Sequence, residues 1–200
     1  QNAAPTVFGL KVVNWITPLK RQRERLEELA PRLLVVQFGG SVGTNSALRK
    51  RGGDVCDKLA QALDLSLPDA PWHTQRDSII EFANWLSMTA GQLGKVGKDL
   101  MLLSQNEINE ISISNPGKSS TMPNKANPVL FETLVSLAAF CRNNADLLEQ
   151  TALTSHERDG ACMKIERLAL PSLISAASAS IVRARDCLKN MSVNMDAIQK

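Results

Sequence analysis

The chain predicts an all-α fold, a bundle of long helices, on three observations. Apolar residues recur at helical spacing over long stretches. Aromatic residues make up only 4% of the chain and Tyr is absent, so Ala, Leu, Ile and Val must build the core. Prolines stand at the heads of apolar-periodic segments, where a missing N–H is tolerated. With 200 residues, 44% of them hydrophobic and 22% charged, the chain is long enough for a sizeable core and has the balance of a globular protein.

Taken in order, an early helix is expected over Val7 to Leu29, with a break or kink at Pro18. Leu33 to Val36 is an apolar run that propensity alone assigns to a strand. Residues 46–64 form another helix, with Thr44 or Asn45 as its cap. Leu67 to Asp77, with two prolines, is irregular. The clearest helix spans 78–113. Phe82, Leu86, Thr89, Leu93, Val96, Leu100 and Leu103 recur there in steps of four and three, a narrow stripe of the coiled-coil kind. Such a helix would be roughly 50 Å long. One monomer is not expected to cover its whole stripe, which predicts association with identical copies. Ser114 to Pro128 is a loop, a helix runs from Pro128 to about Gln150, and a last helix starts after Pro171. There is no internal repeat and no boundary for a second folded domain, so residues 1–200 are expected to form one helical-bundle domain.

Several function classes are excluded or disfavoured. A net charge of +3 gives no case for nucleic acid. The densest basic run, Lys20 to Arg25, is interrupted by Glu24 and succeeded by Glu27 and Glu28, the pattern of a solvated helix face. Cys56, Cys141, Cys162 and Cys187 form no CxxC pair and have no His at ligand spacing, as expected of reduced thiols in a cytoplasmic protein. His73 and His156 stand too far apart to make a metal site by themselves. No uninterrupted apolar run approaches the roughly 20 residues that span a bilayer.

The chemistry concentrates in Gly117-Lys118-Ser119-Ser120-Thr121-Met122-Pro123-Asn124-Lys125-Ala126-Asn127-Pro128. Its glycine start allows movement, three hydroxyls can transfer or share protons, and Lys125 adds a positive charge. Asn127 places an amide just before a helix N-terminus, where anions are favoured. The composition fits a mobile lid closing on a carboxylate. By composition alone, an exposed loop between helices is the favoured reading.

Within that loop, Ser119-Ser120-x-Met122-Pro123-x-Lys125-x-Asn127-Pro128 resembles the signature loop of the fumarase/aspartase superfamily. The resemblance extends across nearly the whole chain. Gln1 to Lys11 is similar to the family's sequence from the final glutamine of its G-R-T-x-x-Q segment onward. Leu33 to Thr44 and Pro71-Trp72-His73-Thr74-Gln75-Arg76-Asp77 resemble stretches of its carboxymuconate cycloisomerase branch. Ser155-His156-Glu157-Arg158-Asp159 resembles both that branch and the adenylosuccinate lyases, but Met163 stands where the latter carry a phosphate-contacting serine. Asn124 and Ala126 replace the common His and Arg of the loop.

The resemblance implies the central, self-associating domain of that fold, without the N- and C-terminal domains of the parent. It implies a homotetramer acting on a small di- or tricarboxylate through an aci-carboxylate, with no metal or organic cofactor. The reaction would be lactonisation in aromatic catabolism. The alternatives are C–N cleavage of the adenylosuccinate lyase type and a non-catalytic oligomerisation module. Ser119 would be the base, with Ser120 its competitor. Lys125 and Asn127 would hold the carboxylate, and Thr74, Gln75 and Arg158 would face substrate. The general acid would lie outside the chain, leaving the isolated piece inactive. Of the single residues outside the loop, His73 is as readily a loop-packing group as a site residue. His156 is as readily a helix cap or an ion-pair member as an acid, and Met122 reads as a packing anchor.

Overall fold

The computed structural model describes residues 4–114, 116–118, 120–122 and 126–199. Among the described residues six α-helices and four very short strands succeed one another: α1 Phe8–Leu33, α2 Gly52–Leu63, α3 Asp77–Leu103, β1 Ile111–Ile113, β2 Gly117–Lys118, β3 Ala126–Asn127, α4 Val129–Glu149, α5 Gly160–Asn190, β4 Met191–Val193 and α6 Met195–Ile198. The all-α, long-helix class expected from the sequence is what the chain adopts. The strands form two antiparallel ribbons, β1 with β4 and β2 with β3.

The chain divides into two compact units, residues 1–22, 86–142 and 173–200 in the first and 23–85 and 143–172 in the second. The core of the first gathers Trp15 from α1, Leu93, Val96, Leu100 and Leu103 from α3, Phe131 and Leu134 from α4, and Ala184 and Cys187 from α5. Trp15 Nε1 donates to Asp99 Oδ2 at 2.6 Å, and Lys95 pairs with the same carboxylate. Burial pushes the Asp99 carboxyl up, but the hydrogen bonds from Lys95 and Trp15 and the charges of Lys95 and Lys11 outweigh it and leave the group below its ordinary value.

α3 and α4 approach closely through glycine. A Cβ on Gly97 would lie 2.8 Å from the Phe131 carbonyl oxygen, and one on Gly94 2.5 Å from Ala138 Cβ. In the second unit Val36 N bonds Ser66 O and Ser66 N bonds Leu34 O, both at 2.9 Å. This joins the segment after α1 to the segment after α2.

Five expectations need correction. α3 stops at Leu103 rather than reaching 113, because polar Ser104 to Asn106 end the stripe and Asn109 turns the chain at φ 51°. α1 continues past Pro18 without a break. Leu33 to Val36 is no strand: α1 runs to Leu33, and only Val35 makes an isolated bridge, to Ser66. Residues 46–64 are a 3-10 turn, Ser46–Arg51, and then α2, with Arg49 at φ 49° between helical stretches; Asn45 makes no side-chain cap. α5 starts at Gly160, eleven residues before Pro171, because the Asp159 carboxylate accepts from the amides of Ala161 and Cys162 at 2.8 and 3.0 Å.

The stripe on α3 also lies elsewhere than expected. Leu86, Thr89, Leu93, Val96, Leu100 and Leu103 are at most 8% exposed, covered by this chain itself, so the stripe makes no demand for a second copy. Exposed large apolar side chains are spread over several helices, and on α5 they include Ile174, Ile181 and Leu188, successively two helical turns apart in sequence. By length and composition α5 could cross a membrane, since an 18-residue window within it has a mean hydropathy of 1.3. Serines and alanines interrupt its large apolar residues, and Leu173, Ala177 and Cys187 on it are buried.

Candidate active site

The signature loop is closed at its base. β2 and β3 pair antiparallel, Gly117 opposite Asn127 and Lys118 opposite Ala126. β3 leads through Pro128 into α4, whose first turn caps the Pro128 carbonyl with Phe131 N at 2.9 Å and Glu132 N at 3.1 Å. A Cβ on Gly117 would overlap Val129 Cγ2, so a glycine is required by close packing against the start of α4.

Asn127 is half-buried, just before the start of α4, where the positive end of the helix dipole favours an anion. Ser120 is exposed, and Met122, expected as an anchor, is 51% exposed. Ser119, Pro123, Asn124 and Lys125 lie outside the described residues. Upstream, Ser114 donates to the Asn190 carbonyl through both its backbone N–H and Oγ, at 2.8 and 2.7 Å, extending the β1–β4 ribbon.

Three of the four other stretches singled out in the sequence, Leu33 to Thr44, Pro71 to Asp77 and Ser155 to Asp159, meet in the second unit. His73 Nε2 lies 3.0 Å from the Gly40 carbonyl, and Arg158 donates to the Ser41 carbonyl at 3.0 Å. Thr154 Oγ1 donates to the Thr74 carbonyl at 3.3 Å, and Trp72 Nε1 to the Val36 carbonyl at 2.9 Å. Thr74 is half-buried and Gln75 exposed. Gln75 lines a cavity of about 410 Å³ together with Arg32, Leu67, Asp69, Trp72 and Asp77. Thr74, Gln75 and Arg158 thus share one unit, and Ser120 and Asn127 belong to the other.

Arg76 is a residue that the sequence pattern did not single out. It is 7% exposed, its Nε lies 3.3 Å from Glu166 Oε2, its Nη1 donates to the His73 carbonyl at 2.9 Å, and its guanidinium sits 5.0 Å from the Trp72 ring centre. The available signal was an arginine four residues after a tryptophan, within reach of the indole face. His156 is exposed at φ 51° and caps nothing. That role falls to Asp159, whose carboxyl is held below the ordinary range by the amides of Cys162, Ser155 and Ala161.

Cys141, Cys162 and Cys187 offer no rival nucleophile. Burial raises Cys141 and Cys162, and Cys187 is pushed up to about 11. Among the described residues no three His, Cys, Asp or Glu side chains converge.

Comparison with known proteins places these features. A family model described as a lyase matches residues 1–141. The chain is 38% identical over 203 residues to the 3-carboxy-cis,cis-muconate cycloisomerase of Pseudomonas aeruginosa, covering 100% of this chain and 44% of that protein. It is 36% identical to the N-acetyl-S-(2-succino)cysteine lyase of Dickeya dadantii, covering 96% and 43%. The crystal structure of 3-carboxy-cis,cis-muconate lactonizing enzyme from Pseudomonas putida superposes with a TM-score of 0.91 at 38% identity, covering 99% and 44%. The chain therefore spans less than half the length of the relatives it matches. With a family model covering most of its length, the chain belongs to this lyase family, the fumarase/aspartase superfamily.

Proposed function

We propose that this chain forms the central helical part of a 3-carboxy-cis,cis-muconate cycloisomerase. The observation that carries the reading is whole-chain similarity to such an enzyme at 38% identity, with the signature loop mounted on a closed ribbon at the head of α4. In the forward reaction a substrate carboxylate oxygen adds to the double-bond carbon β to a second carboxylate. The displaced electron pair moves into that second carboxylate as an aci-carboxylate, and its α-carbon then takes up a proton. Ser119 exchanges that proton, acting as acid in this direction and as base in the reverse. Lys125 and the Asn127 amide hold the developing charge, as preorganised donors do best in a site shielded from water. Thr74, Gln75 and Arg158 face the rest of the substrate. The full enzyme is a cytoplasmic homotetramer, and the exposed Ile174, Ile181 and Leu188 on α5 give it an apolar seam for association.

A second reading is C–S cleavage β to a carboxylate, favoured by 36% identity to a succinocysteine lyase. Adenylosuccinate is the weaker substrate, because Met163 cannot donate to a phosphate. Turnover assays of the full-length enzyme on carboxymuconate, N-acetyl-S-(2-succino)cysteine and adenylosuccinate decide among them. Lactonisation abolished by Ser119→Ala supports the first reading, and exclusive thioether cleavage replaces it with the second.

A further inference from the structure

We propose that His73 is a positioning residue: its imidazole, held in the tautomer with hydrogen on Nε2, clasps the Gly39–Gly43 turn and so fixes the backbone that carries Thr74 and Gln75. The inference rests on the reading of those two residues as substrate contacts.

A carbonyl can only accept, so at 3.0 Å from Gly40 O the neutral ring must carry its hydrogen on Nε2. Nδ1 is then a bare lone pair. It is buried with no hydrogen-bond partner, so the other tautomer would lose the Gly40 bond and bury an unpaired N–H as well. The ring also lies against Gly39, where a Cβ would come within 2.7 Å of His73 Cε1 and 2.8 Å of Gly43 Cα. The turn itself needs glycine, with Gly40 at φ 72° and Gly43 at φ 88°. Its two successive carbonyls are each taken by a distant side chain, Gly40 by His73 and Ser41 by Arg158.

The backbone around His73 is tied on the far side too. Its own carbonyl accepts from Arg76 Nη1 at 2.9 Å, and the next carbonyl, of Thr74, accepts from Thr154 Oγ1. Thr74 and Gln75 therefore project from a peptide tied to two other stretches, the Gly39–Gly43 turn and the segment at Thr154. The imidazole is the tie that reaches the glycine turn. A histidine kept only for packing would be replaceable by any apolar side chain of its size. One kept as a clasp needs a donor at the Nε2 position.

Two substitutions separate these cases. His73→Gln places a side-chain N–H at similar reach, and His73→Met fills similar space without a donor. In the ¹⁵N-labelled chain, long-range proton–nitrogen correlations of the imidazoles report the tautomer. With only two histidines present, His156→Gln assigns the signals. We expect hydrogen on Nε2. In His73→Met, exchange of the Asn45 amide, which bonds Gly39 O at 2.9 Å, should accelerate about fivefold, the factor that a lost hydrogen bond of about 1 kcal/mol gives. His73→Gln should restore it. In the full-length enzyme His73→Met should raise KM by a similar factor, about fivefold, and leave kcat within about twofold. Hydrogen on Nδ1, or Asn45 exchange unaltered in His73→Met, overturns the proposal. The tautomer and exchange measurements need no turnover, so they stand or fall apart from the cycloisomerase reading.

Discussion

Gly91, Gly94 and Gly97 lie three residues apart on α3, and replacing the first and last by alanine should move stability in opposite directions. Alanine gains about 1 kcal/mol over glycine inside a helix, and that gain is common to both sites. At Gly91 nothing lies within 4 Å of the added Cβ, so the gain stands alone. At Gly97 the Cβ would sit 2.8 Å from the Phe131 carbonyl oxygen and 2.8 Å from Leu134 Cβ, against the 3.4 Å at which ordinary contact begins, a shortfall of 0.6 Å on both. One of those atoms is backbone and cannot swing aside, so α4 must shift. Overpacking of this kind costs about 3 kcal/mol at the upper end of its usual range. The net is about 1 kcal/mol of stabilisation for Gly91→Ala and about 2 kcal/mol of destabilisation for Gly97→Ala. For a chain of this length that corresponds to a Tm raised by roughly 2–4 °C in the first and lowered by roughly 4–8 °C in the second. Thermal and urea unfolding monitored by circular dichroism measure both. Equal stabilisation by the two substitutions would refute the close approach of α3 and α4 at Gly97.

Three further outcomes are expected. Asp99→Asn should destabilise at neutral pH, and its deficit against the wild type should close as pH falls below 3.8. A carboxyl depressed in the folded state stabilises only above its unfolded-state value and loses that contribution as pH falls through the folded one; urea midpoints across acid pH check this. Asp159→Ala should lower the melting temperature by uncapping α5, and Asp159→Asn should keep part of the cap through its remaining carbonyl oxygen. Gly117→Ala should reduce turnover of the full-length enzyme by displacing the ribbon from α4. Adding Val129→Ala should recover part of it, and purely additive losses in that double-mutant cycle would contradict the contact.

The helices were legible wherever one apolar face ran long enough to set a period of 3.6, as in α3, α4 and the second half of α5. The misreadings came from local chemistry overriding that period. Ile111-Ser112-Ile113-Ser114 alternates with period two and announced β1, but it stood close enough behind a helical stripe to be absorbed into it. Pro171 looked like a helix start, whereas the Asp159 carboxylate supplies a stronger one upstream.

The loop motif stands in consecutive residues, so a linear pattern can carry it. The clustering of Leu33 to Thr44, Pro71 to Asp77 and Ser155 to Asp159 was not legible, since nothing in a linear pattern says that Arg158 meets Ser41. Arg76 escaped notice for a related reason. Its burial depends on Glu166, which lies ninety residues further along the chain.

The division of the chain into interleaved segments bears on how it is made. The first unit draws on residues 1–22, 86–142 and 173–200, so the core around Trp15 stays open until Ala184 and Cys187 have been synthesised. At about 5–20 residues per second, that leaves α1 waiting roughly ten to thirty seconds for its partners. During that interval Trp15 and its neighbours are exposed in a nascent chain. Closure then brings together residues far apart in the sequence, and such long-range contacts slow folding. A chain released before β4 would keep its helical propensity but lose the pairing of Ile111 with Val193 and the Cys187 face of the core. Such a product would be collapsed, adhesive and a ready client for chaperones.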